Sequence, residues 1–418
     1  MSQKKSMNLG VKILIGLVLG IVVGAIFWAT MGAEAAGAFT AKYIKPFGDI
    51  FVNLLKFIVV PLVLLSIMDG VIQMGDIKKV GKIGWKTVAY FLVTTAIACV
   101  IGLIIASLFK GSFPMLQLAE GAEYEAKSAN LMDTIVNIFP NNAINPLSTA
   151  AMLQIIFIAL IFGCGVLVAG EKGKPFGDFI TSFNEVTQRV MSFILAVSPY
   201  GVFALMVWVV AAQGPKILGS LGLVLLAAYI GYILHVLLVY TASVKVFAKM
   251  SPLYFFKKIF PAAAFAFTST SSVATLPITK ECCDEMDVEG DVSSFVLPLG
   301  ATINMDGVCV HLPVFVILAG NMFGLHHTAG QLAVLVVSVM FASIGAGGIP
   351  GGSVFLLFMV LENMGLEPEQ VATVVALALG INPVLDMFET CCNVTGDNVC
   401  TYIVARRARL VGGAPAAE

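Results

Sequence analysis

Long uninterrupted apolar runs dominate this chain. Residues 13–33, 87–109, 144–170, 190–215 and 217–244 contain no Lys, Arg, Asp or Glu. Each exceeds the ~18 apolar residues that mark a membrane-spanning helix. After these runs the pattern changes, and two apolar segments are interrupted in the middle. The first, 252–280, carries Thr268-Ser269-Thr270-Ser271-Ser272 ahead of Leu276-Pro277. The second, 330–362, carries Ser343-Ile344-Gly345-Ala346-Gly347-Gly348-Ile349-Pro350-Gly351-Gly352. Each has the length for two half-spans meeting at a polar or Gly-rich tip. Non-helical backbone at membrane depth is tolerated only where protein or a water-filled cavity surrounds it. A pair of interrupted segments also points to a transporter's binding site, and entry from opposite sides implies an inverted repeat. Plain loops or small helix-packing residues would account for the Gly/Ser runs alone; the polar residues around them favour the half-span reading.

The 418 residues are 59% hydrophobic and only 12% charged, with a mean hydropathy of +0.96. A soluble domain carries roughly 25% charged residues, so that class is excluded. Lys4 and Lys5 precede the first span, and Lys78, Lys79, Lys82 and Lys86 lie between the second and third. Lys172 and Lys174 follow the fourth, Lys249, Lys257 and Lys258 follow the sixth, and Arg406, Arg407 and Arg409 close the chain. The loop 111–135 instead carries Glu120, Glu123 and Glu125. If spans alternate, every basic loop falls on one side, which the positive-inside rule makes cytoplasmic. The expectation is an all-α integral protein of the cytoplasmic membrane, multi-pass, with eight transmembrane helices, two re-entrant helical hairpins and both termini cytoplasmic. MSQKKSMNLG leads into a span with no evident cleavage site, so that span is expected to stay. A net charge of −1 offers no basic surface, hence no nucleic-acid partner. The eight cysteines lack CxxC spacing and read as small apolar residues. No HExxH, P-loop or GxSxG motif points to an enzyme.

Residues 281–405 contain no Lys or Arg, yet Asp306, Asp386, Glu389 and Asp397 sit there in strongly apolar surroundings. A charge at bilayer depth costs at least ~2.5–3.5 kcal/mol. Distant basic residues could reach these acids, protons could neutralise them, or cations from solution could. Spacing favours the last. Asn382, Asp386, Glu389, Asn393 and Asp397 are separated by 4, 3, 4 and 4 residues and form one helical stripe, bordered by Thr390. Asn304 and Asp306 sit mid-span in TINMDG, where Gly307 is expected to loosen the helix. Oxygen-only sets of this kind suit hard cations. A seam of interhelical hydrogen bonds would explain Asn393 or Thr390 but explains the carboxylates poorly. His235 reads as a hydrogen-bonded packing residue, and His311, a turn and a half beyond Asp306, allows a proton role.

TLPITK, PLGATINMDG, SIGAGGIPGG and LDMFETCCNVTGD, in that order, resemble the dicarboxylate/amino acid:cation symporters over essentially the whole chain. That family comprises glutamate, aspartate and neutral amino-acid transporters. The resemblance implies a homotrimer working by an elevator mechanism, in which a mobile transport domain slides along a scaffold. Scaffold helices 1 and 2 would occupy 1–82, transport-domain helix 3 would occupy 83–110, the extracellular loop with scaffold helices 4 and 5 would occupy 111–215, and transport-domain helix 6 would occupy 216–250. Hairpin 1 would be 251–290, helix 7 would be 291–325, the gating hairpin 2 would be 326–366, and helix 8 with the tail would be 367–418. Sodium would meet Gly300, Asn304, Asn393 and Asp397 at one site. Thr302 with carbonyls around Ser343 and Ile344 would form a second, and Thr94, Thr95, Asn304 and Asp306 a third. The amino-acid substrate would meet Ser272, Met305, Ile349, Asp386, Glu389, Thr390 and Asn393, and protons could replace some sodium.

The departures from the family pattern are as informative. Acidic-substrate members place an Arg at the position of Glu389, where its fork grips a second carboxylate. A Thr beside their substrate is Val308 here. Potassium-coupled members carry a Glu at Leu312 and an Arg at Met387, and archaeal members an Arg at Thr270. Glu389 followed by Thr390 resembles the serine/threonine branch, in which the acid would exchange a hydrogen bond with a substrate hydroxyl. A rival reading pairs an ionised Glu389 with the cationic tail of lysine, ornithine or arginine; the branch resemblance favours small neutral substrates. A channel or receptor using the same cation sites would be a different class.

Overall fold

A computed structural model describes residues 9–73, 82–114, 136, 138–215, 218–325, 327–343 and 352–408, and is built from helices. Helix α1 (Leu9–Met31) ends at Gly32, whose φ of 78° turns the chain into α2 (Ala33–Tyr43). Three long apolar helices follow: α3 (Lys45–Gln73), α4 (Lys82–Phe109) and α5 (Met152–Ala169). The apolar run 144–170 is a continuous helix only from Met152, because Ala150 takes left-handed backbone (φ 53°) after one short turn.

The run 190–215 departs further. Helices α6 (Lys174–Ala196) and α7 (Ser198–Gln213) meet there at a 48° bend. Pro199 is the cause: its ring clashes with the carbonyl four residues back and it has no N–H to donate. Asp178, Glu185 and Arg189 lie exposed on α6, so hydropathy marks only its final turns. On its buried side Thr181 donates to Asp69 Oδ1 (2.6 Å) and Asn184 to Asp69 Oδ2 (2.9 Å), tying α6 to α3.

Helix α8 (Leu218–Leu234) continues through π-helical turns at His235–Tyr240 and Val244–Ala248. The Ser/Thr run then forms the tip between α9 (Pro252–Ser269) and α10 (Ser272–Asp284). Thr270 ends α9 in left-handed backbone (φ 53°), and Ser271 caps α10 by accepting the Ala274 N–H at 3.2 Å. Helices α11 (Gly290–Ile303) and α12 (Asp306–Met322) form one broken span. Next come α13 (Ala329–Ser343), α14 (Gly352–Asn363) and the long α15 (Pro368–Ala408). Helices α13 and α14 pack together and flank the Gly-rich segment 344–351, which lies outside the described residues with the candidates Ile344 and Ile349. Among the described residues seven spans are long and apolar enough to cross a membrane, and an eighth if α6–α7 counts as one.

The break in TINMDG falls at Asn304 (φ −96°, ψ 89°) and Met305 (φ −116°, ψ 51°), while Gly307 is helical. Side-chain competition explains the shift from the expected position. Asn393 on α15 accepts the Gly307 N–H at 2.7 Å, satisfying a first-turn donor of α12 that no helix carbonyl can reach.

Helix α15 is the axis on which α1, α4, α7, α8, α9, α10, α11, α12 and α14 converge. The α11–α12 span is wholly enclosed and α15 largely so, whereas α1 and α5 turn most of their surface outward. Asp306, Asp386, Glu389 and Asp397 therefore sit on the enclosed helices and face protein rather than lipid, the only tolerable place for them.

Candidate cation and substrate site

Asn382, Asp386, Glu389, Thr390, Asn393 and Asp397 are all buried on α15, and the stripe meets the α11–α12 break. The Asn304 amide nitrogen donates to Asp397 Oδ1 (2.9 Å) and to the Asn393 carbonyl (3.1 Å). Its Oδ1 is buried with no hydrogen-bond partner among the described residues. Such an enclosed acceptor is costly unless a donor or cation meets it. The Asn393 amide nitrogen contacts Met305 Sδ at 3.4 Å. A methyl group on Gly300 would collide with the Asp397 carboxylate, so only glycine lets that carboxylate lie on the α11 backbone. Gly300, Asn304, Asn393 and Asp397 thus come together as carboxylate, orphaned amide oxygen and loosened backbone, a donor set for a hard cation.

Asp306 opens α12, where the helix dipole favours negative charge. It is fully enclosed. Its Oδ1 accepts from Thr95 Oγ1 (2.8 Å), and its Oδ2 accepts from the Tyr240 hydroxyl (2.8 Å) and lies 3.0 Å from His235 Nε2. Thr94 is buried beside it but donates to the Phe91 carbonyl of its own helix at 3.1 Å. By sequence His235 is a packing residue and Tyr240 carries no signal; the structure sets both against Asp306. Residues five apart sit about 140° apart on an α-helix; the π-turn at 235–240 brings both to one side.

The remaining cation set is less assembled. Thr302 donates to the Leu299 carbonyl (2.8 Å) and Ser343 to the Met340 carbonyl (2.8 Å), each within its own helix. No described contact joins them.

On the substrate side, Ser272 is buried at the start of α10 and Met305 at the break. Ser353 of α14 donates to Asn382 Oδ1 at 3.4 Å and reaches Glu389. The Glu389 backbone lies so close to α12 that a methyl on Gly307 would stand 2.6 Å from the Glu389 carbonyl oxygen. Glu389 Oε2 is buried without a hydrogen-bond partner among the described residues, and His311 Nδ1 lies 3.6 Å from it. Phe388 packs between Tyr229 (4.4 Å between centroids) and Phe267 (5.0 Å), walling the site with aromatic surface. His311 and Tyr232 are the residues here whose link to Glu389 the spacing of α12 alone does not reveal.

Residues 9–407 match the model of the sodium:dicarboxylate symporter family. Over 411 residues the chain is 32% identical to a proton/sodium-glutamate symport protein of Bacillus caldotenax, covering 96% of this chain and 95% of that one. A proton/glutamate-aspartate symporter of Escherichia coli (strain K12) is 29% identical over 411 residues, covering 96% and 92%. A C4-dicarboxylate transport protein of Bacillus subtilis (strain 168) is 27% identical over 406 residues, covering 96% and 93%. Matches of this length and order leave one assignment: the chain belongs to the sodium:dicarboxylate symporter family.

Proposed function

We propose that this protein couples sodium entry to uptake of small neutral amino acids, serine and threonine first among them. The observation that carries the reading is Glu389: an enclosed acid on the substrate-facing stripe, in a region 281–405 that holds no Lys or Arg. The relatives named above are described as carriers of glutamate, aspartate or C4-dicarboxylates. Such a substrate would bring a second carboxylate toward Glu389. Like charges forced together away from water cost several kcal/mol of selectivity. A hydroxyl can instead donate to Glu389, or accept from it, at no charge penalty. Asp386, Thr390 and Asn393 would hold the substrate's amino and carboxylate groups with Ser272, Met305 and Ile349. Sodium would sit against Asp397 and Asn304, against Asp306 with Thr95, and near Thr302 and Ser343; a proton can serve beside it.

The same reading divides the protein into a scaffold of α1–α3 and α5–α7 and a moving body of α4 and α8–α15, assembled as a homotrimer in the cytoplasmic membrane. Packing of α4, α8–α12 and α14 on α15 supports the moving body, and α1 and α7 meet α15 where the two parts adjoin. Between the two parts, Lys56 of α3 pairs with Glu362 of α14 at 3.2 Å, both side chains substantially exposed. Such a pair is worth about 0–1 kcal/mol, weak enough to break as one part slides.

Binding competition by all twenty amino acids at fixed sodium tests the substrate reading. Serine and threonine should displace the label best. Displacement led by lysine, ornithine or arginine would favour the cationic reading, and displacement led by aspartate or glutamate would overturn both.

A further inference from the structure

We infer that His311 is a positioning residue for substrate choice, aiming Glu389 at the bound amino acid's side chain from a ring nitrogen that faces both Tyr232 and Glu389. The inference rests on the proposed role of Glu389 and extends it to two residues on other helices. Tyr232 comes from α8, His311 from α12 and Glu389 from α15, and all three are buried. The Tyr232 hydroxyl and His311 Nδ1 are 2.9 Å apart, a full hydrogen bond. Phe315 stands edge-on to the same imidazole, with centroids 6.1 Å apart and planes at 88°. The ring is therefore held on two sides.

The same Nδ1 lies 3.6 Å from Glu389 Oε2, beyond a full hydrogen bond, so a proton on that nitrogen can only be shared between the two partners. That oxygen has no other hydrogen-bond partner among the described residues. An enclosed carboxyl oxygen without a partner is a standing cost. Three groups can relieve it: the pinned imidazole beside it, the Ser353 hydroxyl that reaches Glu389, or a hydroxyl arriving with substrate. A substrate hydroxyl drawn to Glu389 supplies the missing partner, and the fixed imidazole limits where the carboxyl can sit. An apolar side chain at position 311 would leave Glu389 free to turn away.

Packing and positioning are separable, because alanine fits the same site without a hydroxyl. KM for labelled serine and labelled alanine is measured at saturating sodium, using full-length protein in proteoliposomes. The parent is compared with His311→Leu, His311→Gln and Tyr232→Phe. His311→Leu should raise the serine KM about tenfold, the scale of the one substrate–Glu389 hydrogen bond that a turned carboxyl no longer makes, while the alanine KM stays within about twofold. His311→Gln keeps a donor and should recover part of the serine preference. Tyr232→Phe, the smallest change, should show the same pattern more weakly and keeps the test available if His311→Leu does not fold. A serine/alanine ratio unmoved in all folded variants, whether or not both KM values rise, overturns the inference. A parent that carries aspartate and ignores serine overturns the substrate reading and this inference with it; a serine-preferring parent whose ratio does not respond overturns this inference alone.

Discussion

Asp397→Asn separates structural from ion-binding roles on α15. Asp397 Oδ1 accepts one described hydrogen bond, from the Asn304 amide at 2.9 Å, and the side chain is buried against Gly300. Asparagine has the same shape, and its amide oxygen can keep that bond. Replacing a charge-assisted bond by a neutral one costs about 1 kcal/mol, and removing a buried charge offsets part of it. Fold stability without sodium should therefore change by no more than about 1 kcal/mol. The effect on a cation is larger. At an effective dielectric of about 20, a carboxylate and a cation ~4 Å apart attract by ~4 kcal/mol. Taking half of that as net of desolvation gives about 2 kcal/mol, or roughly 30-fold weaker sodium binding. The assay is thermal unfolding of the purified protein with and without sodium. At a sodium level 100 times the parent's Kd, binding at this site stabilises the parent by about 2.7 kcal/mol and the variant by about 0.9 kcal/mol. A sodium-induced rise in Tm that superimposes on the parent's would refute the placement of a cation at Asp397.

Glu389→Arg should move preference toward aspartate and glutamate by at least about tenfold relative to serine, since a guanidinium fork then faces the second carboxylate; an unchanged ranking in competition would contradict the specificity argument. Gly307→Ala places a methyl 2.6 Å from the Glu389 carbonyl oxygen and 2.8 Å from its Cα. Backbone cannot yield as a side-chain tip can, so Tm should fall in line with a loss of about 1–3 kcal/mol, and a parent-like Tm would show the approach is not tight. Tyr240→Phe removes a donor from Asp306 Oδ2, which should cost about 1–3 kcal/mol and shift sodium activation of uptake to higher concentration. Superimposable activation curves would remove Tyr240 from the cation cage.

Much of this arrangement is legible in the sequence wherever a single element carries the signal. The α15 stripe keeps helical period from Asn382 to Asp397, and the structure buries every member. The Ser/Thr run marks the α9–α10 tip because Thr270 and Ser271 supply the stop and the cap. What the sequence hides is set by neighbours. The α12 break moves from Gly307 to Asn304–Met305 because Asn393, 86 residues away along the chain, satisfies the Gly307 N–H. His235 and Tyr240 converge on Asp306 only through a π-turn that no periodicity announces. The bend at Val197 lies inside unbroken apolar sequence, where hydropathy sees one span and Pro199 makes two helices. Glu389 differs again: its position is plain, but its contact with His311 needs α12 and α15 side by side.

Sodium-driven carriage of a neutral hydroxy amino acid is tested most directly by accumulation of labelled serine in proteoliposomes. Under an inward sodium gradient, serine should concentrate above its external level, collapse to equilibrium when sodium is equalised, and yield to threonine but not to aspartate. Serine that never exceeds equilibrium, or aspartate that accumulates while serine stays inert, would contradict it.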